Sequence, residues 1–185
     1  TISPNNSLYA YNNVGRIYRY NLLTDQFELY LDLAEHIYMG LVLHYLFIDS
    51  QEQLWIGLNS GLYCCLLGET PQLIDSDCHV TYITELPQSM AIGTTCDLRI
   101  YSKDRNLLQK LCPDTYVQSL LPLPNKEILL IGTFNCGVKS ISLSSWQEQP
   151  VKNGSLPHTP IRSMIEMTPS TVLLGFDGHG VYTYN

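Results

Sequence analysis

Apolar residues gather along this chain in short runs that close on a glycine and reopen after a tight polar stretch. Leu54-Trp55-Ile56-Gly57, Met90-Ala91-Ile92-Gly93, Leu129-Leu130-Ile131-Gly132 and Val172-Leu173-Leu174-Gly175 are four such runs. A second glycine and an apolar residue follow in three of them, as Gly61-Leu62, Gly137-Val138 and Gly180-Val181. Asp97-Leu98 takes that place in the fourth. A weaker relative, Leu8-Tyr9-Ala10-Tyr11, leads into Gly15-Arg16-Ile17-Tyr18. Short apolar runs bounded by turn-forming residues read as β-strands rather than helices. The four glycines lie 36, 39 and 43 residues apart, and Tyr11 precedes Gly57 by 46.

Self-similarity at roughly 40–45 residues is the interval of a four-stranded propeller blade. Each repeat reads alike. A first strand (residues 43–48, 80–86, 117–121, 161–167) meets a turn rich in Pro, Asp, Ser and Asn. The run closing on Gly is the second strand, and a third follows at 15–20, 61–66, 97–101, 137–143 and 180–184. Fourth strands are fainter, at 27–31, 72–75, 107–111 and near 149–152. The motif glycines would sit where neighbouring sheets approach closely. Gly61, Gly137 and Gly180 would take positive φ, a region that Asn13, Asn59 and Asn135 also tolerate. The expected fold is therefore all-β: four to five four-stranded antiparallel β-propeller blades in a single segment, with units at 1–37, 38–77, 78–113, 114–155 and 156–185. Residues 32–36 make the best helical turn, and it is short. Thr1-Ile2-Ser3 resembles the end of a first strand and the chain stops after a third, so unless those ends complete each other the segment is expected to belong to a larger propeller.

Composition changes the picture in three ways. Hydrophobic residues at 45% and charged residues at 15% speak against disorder. A net charge of −7 without a basic cluster excludes broad attraction to nucleic acid or anionic lipid. The longest apolar stretch, residues 37–48, is too short to span a bilayer. No signal peptide is visible and the first residue is Thr1, as expected of a processed or excised piece, so targeting does not reveal the compartment. The six cysteines (64, 65, 78, 96, 112, 136) lack zinc-type spacing and read as free, mostly buried thiols.

The stretch Asp49-Ser50-Gln51-Glu52-Gln53-Leu54-Trp55-Ile56-Gly57-Leu58-Asn59-Ser60-Gly61-Leu62-Tyr63 resembles the repeat of the two-component regulator propeller family, roughly D-x-x-G-x-L-W-I-G-T-x-x-G-L. Glu52 replaces the turn Gly and Leu58 the Thr, which Thr94 and Thr133 restore in later repeats. Trp occurs once; Tyr9, Ala91, Leu130 and Leu173 stand in its place elsewhere. The resemblance covers essentially the whole chain. It implies the periplasmic sensor region of a Bacteroidetes hybrid two-component histidine kinase, the periplasmic portion of an inner-membrane protein. In that family the propellers recognise polysaccharide fragments and signal to a kinase, response-regulator and DNA-binding portion, none of which lies in these residues. The implied partners are an oligosaccharide, the remaining blades of the same chain and a possible homodimer. Membrane contact would come only through the full-length protein, and nucleic-acid contact by this segment is not expected.

Aligning the first strands on the motif Gly brings His44, Thr81, Gln118 and Arg162 to one position, each after an aliphatic residue. A recurring polar place on the innermost strand suggests a polar ring able to meet hydroxyl-rich ligands. The competing reading is hydrogen bonding to channel water and neighbouring backbone. The planar fork of Arg162 suits a uronate or sulfate. His79, Tyr116 and His158 precede first strands, on loops where aromatic rings can stack on sugars. Trp55 reads as core and Trp146 as the more exposed indole.

Gly175-Phe176-Asp177-Gly178-His179-Gly180 reads as a turn between strands rather than a phosphate loop, because no helix follows it. The His spacing gives no metal site, no cofactor is implied, and no pair of carboxylates or G-x-S-x-G elbow predicts catalysis. A non-catalytic sensor module is thus the leading reading. The alternatives are a structural segment for dimerisation or docking and, less favoured, a propeller enzyme such as a polysaccharide lyase.

Overall fold

A computed structural model describes residues 1–37, 40–151, 154 and 156–184. The chain divides into two compact units, Thr1–Ile83 and Thr84–Asn185. In the first unit, β1 (Tyr9–Tyr11), β2 (Arg16–Asn21) and β3 (Gln26–Asp32) form one sheet. A second contains β4 (Leu43–Ile48), β5 (Gln53–Leu58), β6 (Gly61–Leu66) and β7 (Gln72–Asp75). β8 (Val80–Glu85) carries the division between units and heads the sheet of β9 (Ser89–Thr94), β10 (Leu98–Ser102) and β11 (Leu107–Leu111). The second unit continues with β12 (Val117–Leu123), β13 (Ile128–Thr133), β14 (Val138–Ser142) and β15 (Glu148–Gln149). It closes with β16 (Ile161–Thr168), β17 (Thr171–Phe176) and β18 (Gly180–Tyr184). Strands adjacent in sequence are adjacent in their sheets, and the pairings are antiparallel.

The fold is all-β, as the apolar runs imply: five small sheets of three or four strands. The second strands of the inner sheets are apolar runs because they are buried on both faces; β5 and β9 are buried at all six positions, whereas β17 in the last sheet alternates buried and half-buried positions. In the first unit Tyr9, Ile17, Leu43, Leu46, Leu54 and Ile56 share one core; in the second, Leu130, Val138, Ile161, Val172 and Leu174 share another. Residues 32–36 hold a single 3-10 turn, Leu33–Glu35, capped by Asp32 Oδ1 accepting from the Ala34 amide.

Most strand ends fall within one residue of the expectation, and three places differ further. β12 runs through Pro122 to Leu123, where a turn from 122 was expected. It heads its sheet, and an edge strand tolerates a missing N–H. β15 is two residues, and Lys152 of the expected fourth strand lies outside the described residues. Thr1-Ile2-Ser3 is not a named strand, yet Ile2 bridges Leu8, and the Tyr9 amide donates to the Thr1 carbonyl at 2.9 Å.

The motif glycines mark close approach. A Cβ at Gly57 would stand 2.4 Å from Val80 Cγ1, and one at Gly132 2.9 Å from Ile161 Cγ2; each neighbour belongs to the first strand of the following sheet. At Gly175 the first obstacle is Ser163 Oγ of its own sheet, and the position is half-buried.

The opening aspartate and the tryptophan of the best repeat explain each other. Asp49 is fully buried, accepts from the Gln51 and Gln53 amides at 2.9 Å each, and takes the Trp55 indole N–H at 2.9 Å. The Gly expected between them is Glu52, held at φ 60°. Glu127 and Asn6, each five residues before Gly132 and Tyr11, are also left-handed, at φ 55° and 62°. The turn geometry thus outlasts the glycine that favours it.

Gly61, Gly137 and Gly180 have positive φ as expected, whereas Asn13, Asn59 and Asn135 are not among the positive-φ residues. Asn59 works through its side chain instead, accepting from the Val42 amide at 2.8 Å and donating to the Gly40 carbonyl at 3.1 Å. Where Thr occupies the place of Leu58, its hydroxyl ties the connection. The Cys136 amide donates to Thr133 Oγ1 at 2.8 Å, which donates to the Gly137 carbonyl at 2.8 Å.

No cysteine is in a disulfide; four are buried, and Cys96 and Cys136 are exposed. Trp55 is fully buried and Trp146 half-buried.

Candidate functional site

The aligned polar position proves to be a backbone irregularity. Leu43 pairs with Leu58 and Tyr45 with Gly57, leaving His44 as an extra residue between them. The same shift leaves out Gln118, between the pairs Val117–Thr133 and Ser119–Gly132. It recurs at Arg162, between Ile161–Phe176 and Ser163–Gly175. A β-bulge bends the strand and re-aims the side chain it carries. His44 and Arg162 are exposed, and Thr81 and Gln118 half-buried.

In the first unit, His44 Nε2 and His79 Nε2 lie 2.9 Å apart, one donating and the other accepting, with ring centroids 4.5 Å apart. Burial, and after it the charge of His79, hold the His44 imidazole below its ordinary pKa. The Tyr11 hydroxyl donates to the His44 carbonyl at 3.0 Å, steadying the bulge. Tyr45 and Tyr82 lie ring to ring at 4.5 Å, and burial, then their hydrogen bond, push the Tyr45 phenol far up.

In the second unit, Arg162 donates from Nη1 to Gln118 Oε1 at 2.6 Å and from Nη2 to Asp177 Oδ2 at 2.8 Å. The fork expected to be open to a uronate or sulfate is therefore engaged by protein groups. Tyr116, just ahead of β12, stacks on Phe134 with centroids 5.0 Å apart and planes within 8°. His158 is exposed, and the neighbouring Thr159 hydroxyl lies 3.4 Å from His179 Nδ1.

Asp177, Phe134 and Tyr11 are the members that strand alignment alone does not find. The hairpin register could have found the first two. The amide two residues beyond the motif Gly donates to the carbonyl two residues before the bulge: Asn59 to Val42 at 3.1 Å, Phe134 to Tyr116 at 2.9 Å, Asp177 to Pro160 at 2.9 Å. In the last hairpin that place holds Asp177, whose carboxylate meets the bulged Arg162.

One cavity, about 520 Å³, is lined by Val14, Ala34, Glu35, His36, Ile37, Gly40 and Leu41 and includes none of the aligned residues. Burial pushes the Cys112 thiol up to about 11, a value that leaves little thiolate at neutral pH. Among the described residues, no group of three or more His, Cys, Asp or Glu side chains could hold a metal ion, and no helix is long and apolar enough to cross a membrane.

No protein family profile matches the chain, and no curated protein matches it. Solved structures do. The extracellular domain assigned to the hybrid two component system BT4673 of B. thetaiotaomicron is similar over 97% of this chain and 26% of that one, at 20% identity and a TM-score of 0.78. A second structure of that extracellular domain, described there as of a one component system, gives 20% identity and a TM-score of 0.74 over 100% of this chain and 25% of that one. The computationally designed Ika8 protein is similar at 16% identity and a TM-score of 0.71, over 97% of this chain and 57% of that one. This chain thus spans about a quarter of the BT4673 chains, and at these identities the likeness is one of fold.

Proposed function

We propose that this chain is a ligand-sensing segment of the periplasmic region of a hybrid two-component sensor protein anchored in the inner membrane, and that its ligand is an oligosaccharide. The observation that carries the reading is the repeated bulge, which sets His44, Gln118 and Arg162 each directly after a buried aliphatic residue at the start of its strand. Polar side chains fixed by backbone irregularity, beside paired aromatic rings, suit a ligand rich in hydroxyls and apolar ring faces. Likeness to the BT4673 extracellular domain supports the sensor context. His79 and Thr81 in the first unit, and Tyr116 and His158 in the second, complete the candidate contacts. Catalysis is assigned elsewhere in the full-length protein.

The five sheets are read as blades of a propeller larger than this chain. The last sheet supports this: Ile165, Met167 and Val181 are 61%, 64% and 68% exposed. Val80 and Ile161 crowd Gly57 and Gly132 from the following sheet, and among the described residues no such neighbour crowds Gly175. A further sheet of the same repeat, bringing a β-branched residue at the start of its first strand, would fill that place.

Calorimetry of the intact protein against a saccharide panel tests the sensor reading. Binding weakened about tenfold by Gln118→Ala, and by Tyr116→Ala through lost stacking, is the expected result. Binding untouched by either variant and by His44→Ala would make the bulges structural. Absence of any saccharide binding would favour the docking alternative.

A further inference from the structure

The Arg162 fork is already occupied, and this decides the charge of what it can take. Its two terminal nitrogens donate to Gln118 Oε1 at 2.6 Å and Asp177 Oδ2 at 2.8 Å, and both members of the ion pair are about half exposed, at 54% and 53%. Guanidinium and carboxylate cancel, so the patch carries no net charge within a protein of net charge −7. An incoming uronate or sulfate would have to displace or approach the Asp177 carboxylate, and like charges a few ångströms apart repel. The patch is instead a row of alternating donors and acceptors: the Gln118 amide N–H₂, the guanidinium edge and the Asp177 carboxylate oxygens. That pattern matches adjacent hydroxyls, each of which both donates and accepts. Phe134, 42% exposed and stacked on Tyr116 beside Gln118 in sequence, adds an apolar ring face.

We infer that Gln118, Arg162 and Asp177 select an uncharged, vicinal-diol-bearing saccharide, and that Asp177 is the residue that excludes its acidic counterparts. The inference rests on the oligosaccharide reading above and names its ligand class. Asp177 acts here as a specificity determinant rather than as a mere partner for Arg162. The hairpin fixes it: its amide donates to the Pro160 carbonyl at 2.9 Å, two residues before Arg162.

The test pairs neutral hexose oligosaccharides with their C6-carboxylate equivalents, across several backbones, against the wild-type chain and the isosteric Asp177→Asn. The wild type should favour the neutral member about tenfold or more. In Asp177→Asn the acidic member should gain about tenfold, while the neutral one changes less than about threefold. A second measurement needs no saccharide. Inorganic sulfate, followed at the Arg162 Nε resonance, should leave the wild type unshifted and saturate Asp177→Asn. Equal sulfate binding by both proteins, or an acidic preference in the wild type that Asp177→Asn does not raise, overturns the inference and leaves the oligosaccharide reading standing. A wild type that binds no saccharide at all overturns that reading, and this ligand class with it.

Discussion

Replacing Gly132 by alanine tests whether close approach between strands of successive sheets fixes the motif glycine. A Cβ there would lie 2.3 Å from Ser119 Oγ and 2.9 and 3.0 Å from Ile161 Cγ2 and Cβ. Ser119 is 1% exposed and donates its hydroxyl to the Ile161 carbonyl at 2.7 Å, so turning it aside breaks that bond. Overpacking of this kind costs about 1–3 kcal/mol, and losing a buried hydrogen bond adds about 1 kcal/mol. The sum, about 2–4 kcal/mol, corresponds to a fall in Tm of roughly 4–16 °C for a chain of this size. Gly175→Ala is the internal comparison. Its Cβ meets Ser163 Oγ at 2.5 Å and nothing else closer than 3.7 Å, and Ser163 is exposed, so its hydroxyl can rotate into solvent. That change should cost under about 1 kcal/mol. Urea denaturation reads both, with an unchanged m-value required for the comparison. Adding Ser119→Ala to Gly132→Ala removes the nearest obstacle, so the double variant should be more stable than the two losses added together. Gly132→Ala with the wild-type midpoint, or Gly175→Ala losing as much as Gly132→Ala, would refute the reasoning.

Asp49→Ala removes the buried acceptor shared by the Gln51 and Gln53 amides and the Trp55 indole, and should cost at least about 3 kcal/mol, since leaving a buried donor unsatisfied costs about 1–3 kcal/mol and three donors lose their acceptor. Urea midpoints check it, and a loss under about 1 kcal/mol would show that the turn holds without its aspartate. The lowered His44 pKa predicts acid sensitivity: the unfolded chain binds the proton more readily, so stability falls as pH drops from the unfolded value of 6.5 through the folded one and is unaffected above that window. Melting scans at pH 7.5 and 5.5 should show a smaller difference in His44→Gln than in the wild type; an identical difference would remove His44 as the cause.

The fold was largely legible because its strongest constraint is local. A strand buried on both faces must be apolar throughout, and one that meets a neighbouring strand closely must end in Gly, so 54–57 and 129–132 announce themselves. What escaped was whatever geometry leaves to more than one residue type. The left-handed turn before β13 is made by Glu127, which no turn preference would pick. The three expected asparagines do not take positive φ, because side-chain hydrogen bonding offers them another way to hold a connection, as Asn59 shows. Pro122 reads as a strand breaker until its strand is known to be an edge.

The candidate site divides in the same way, and the division explains why strand alignment misses the partner of Arg162. His44, Gln118 and Arg162 could be aligned because each sits one residue past an aliphatic that must face the core. Asp177, the carboxylate that engages Arg162, could not be aligned by that rule, since it comes from the turn on the far side of the hairpin. Arg162 alone reads as a cation waiting for an anion. With Asp177 at 2.8 Å it becomes half of a neutral pair. The difference is carried by one residue in a glycine-rich turn whose amide bond to Pro160 sets the carboxylate beside the bulge. The place two positions beyond the motif glycine thus keeps one backbone bond while holding Asn59, Phe134 and Asp177, an amide, an aromatic ring and a carboxylate.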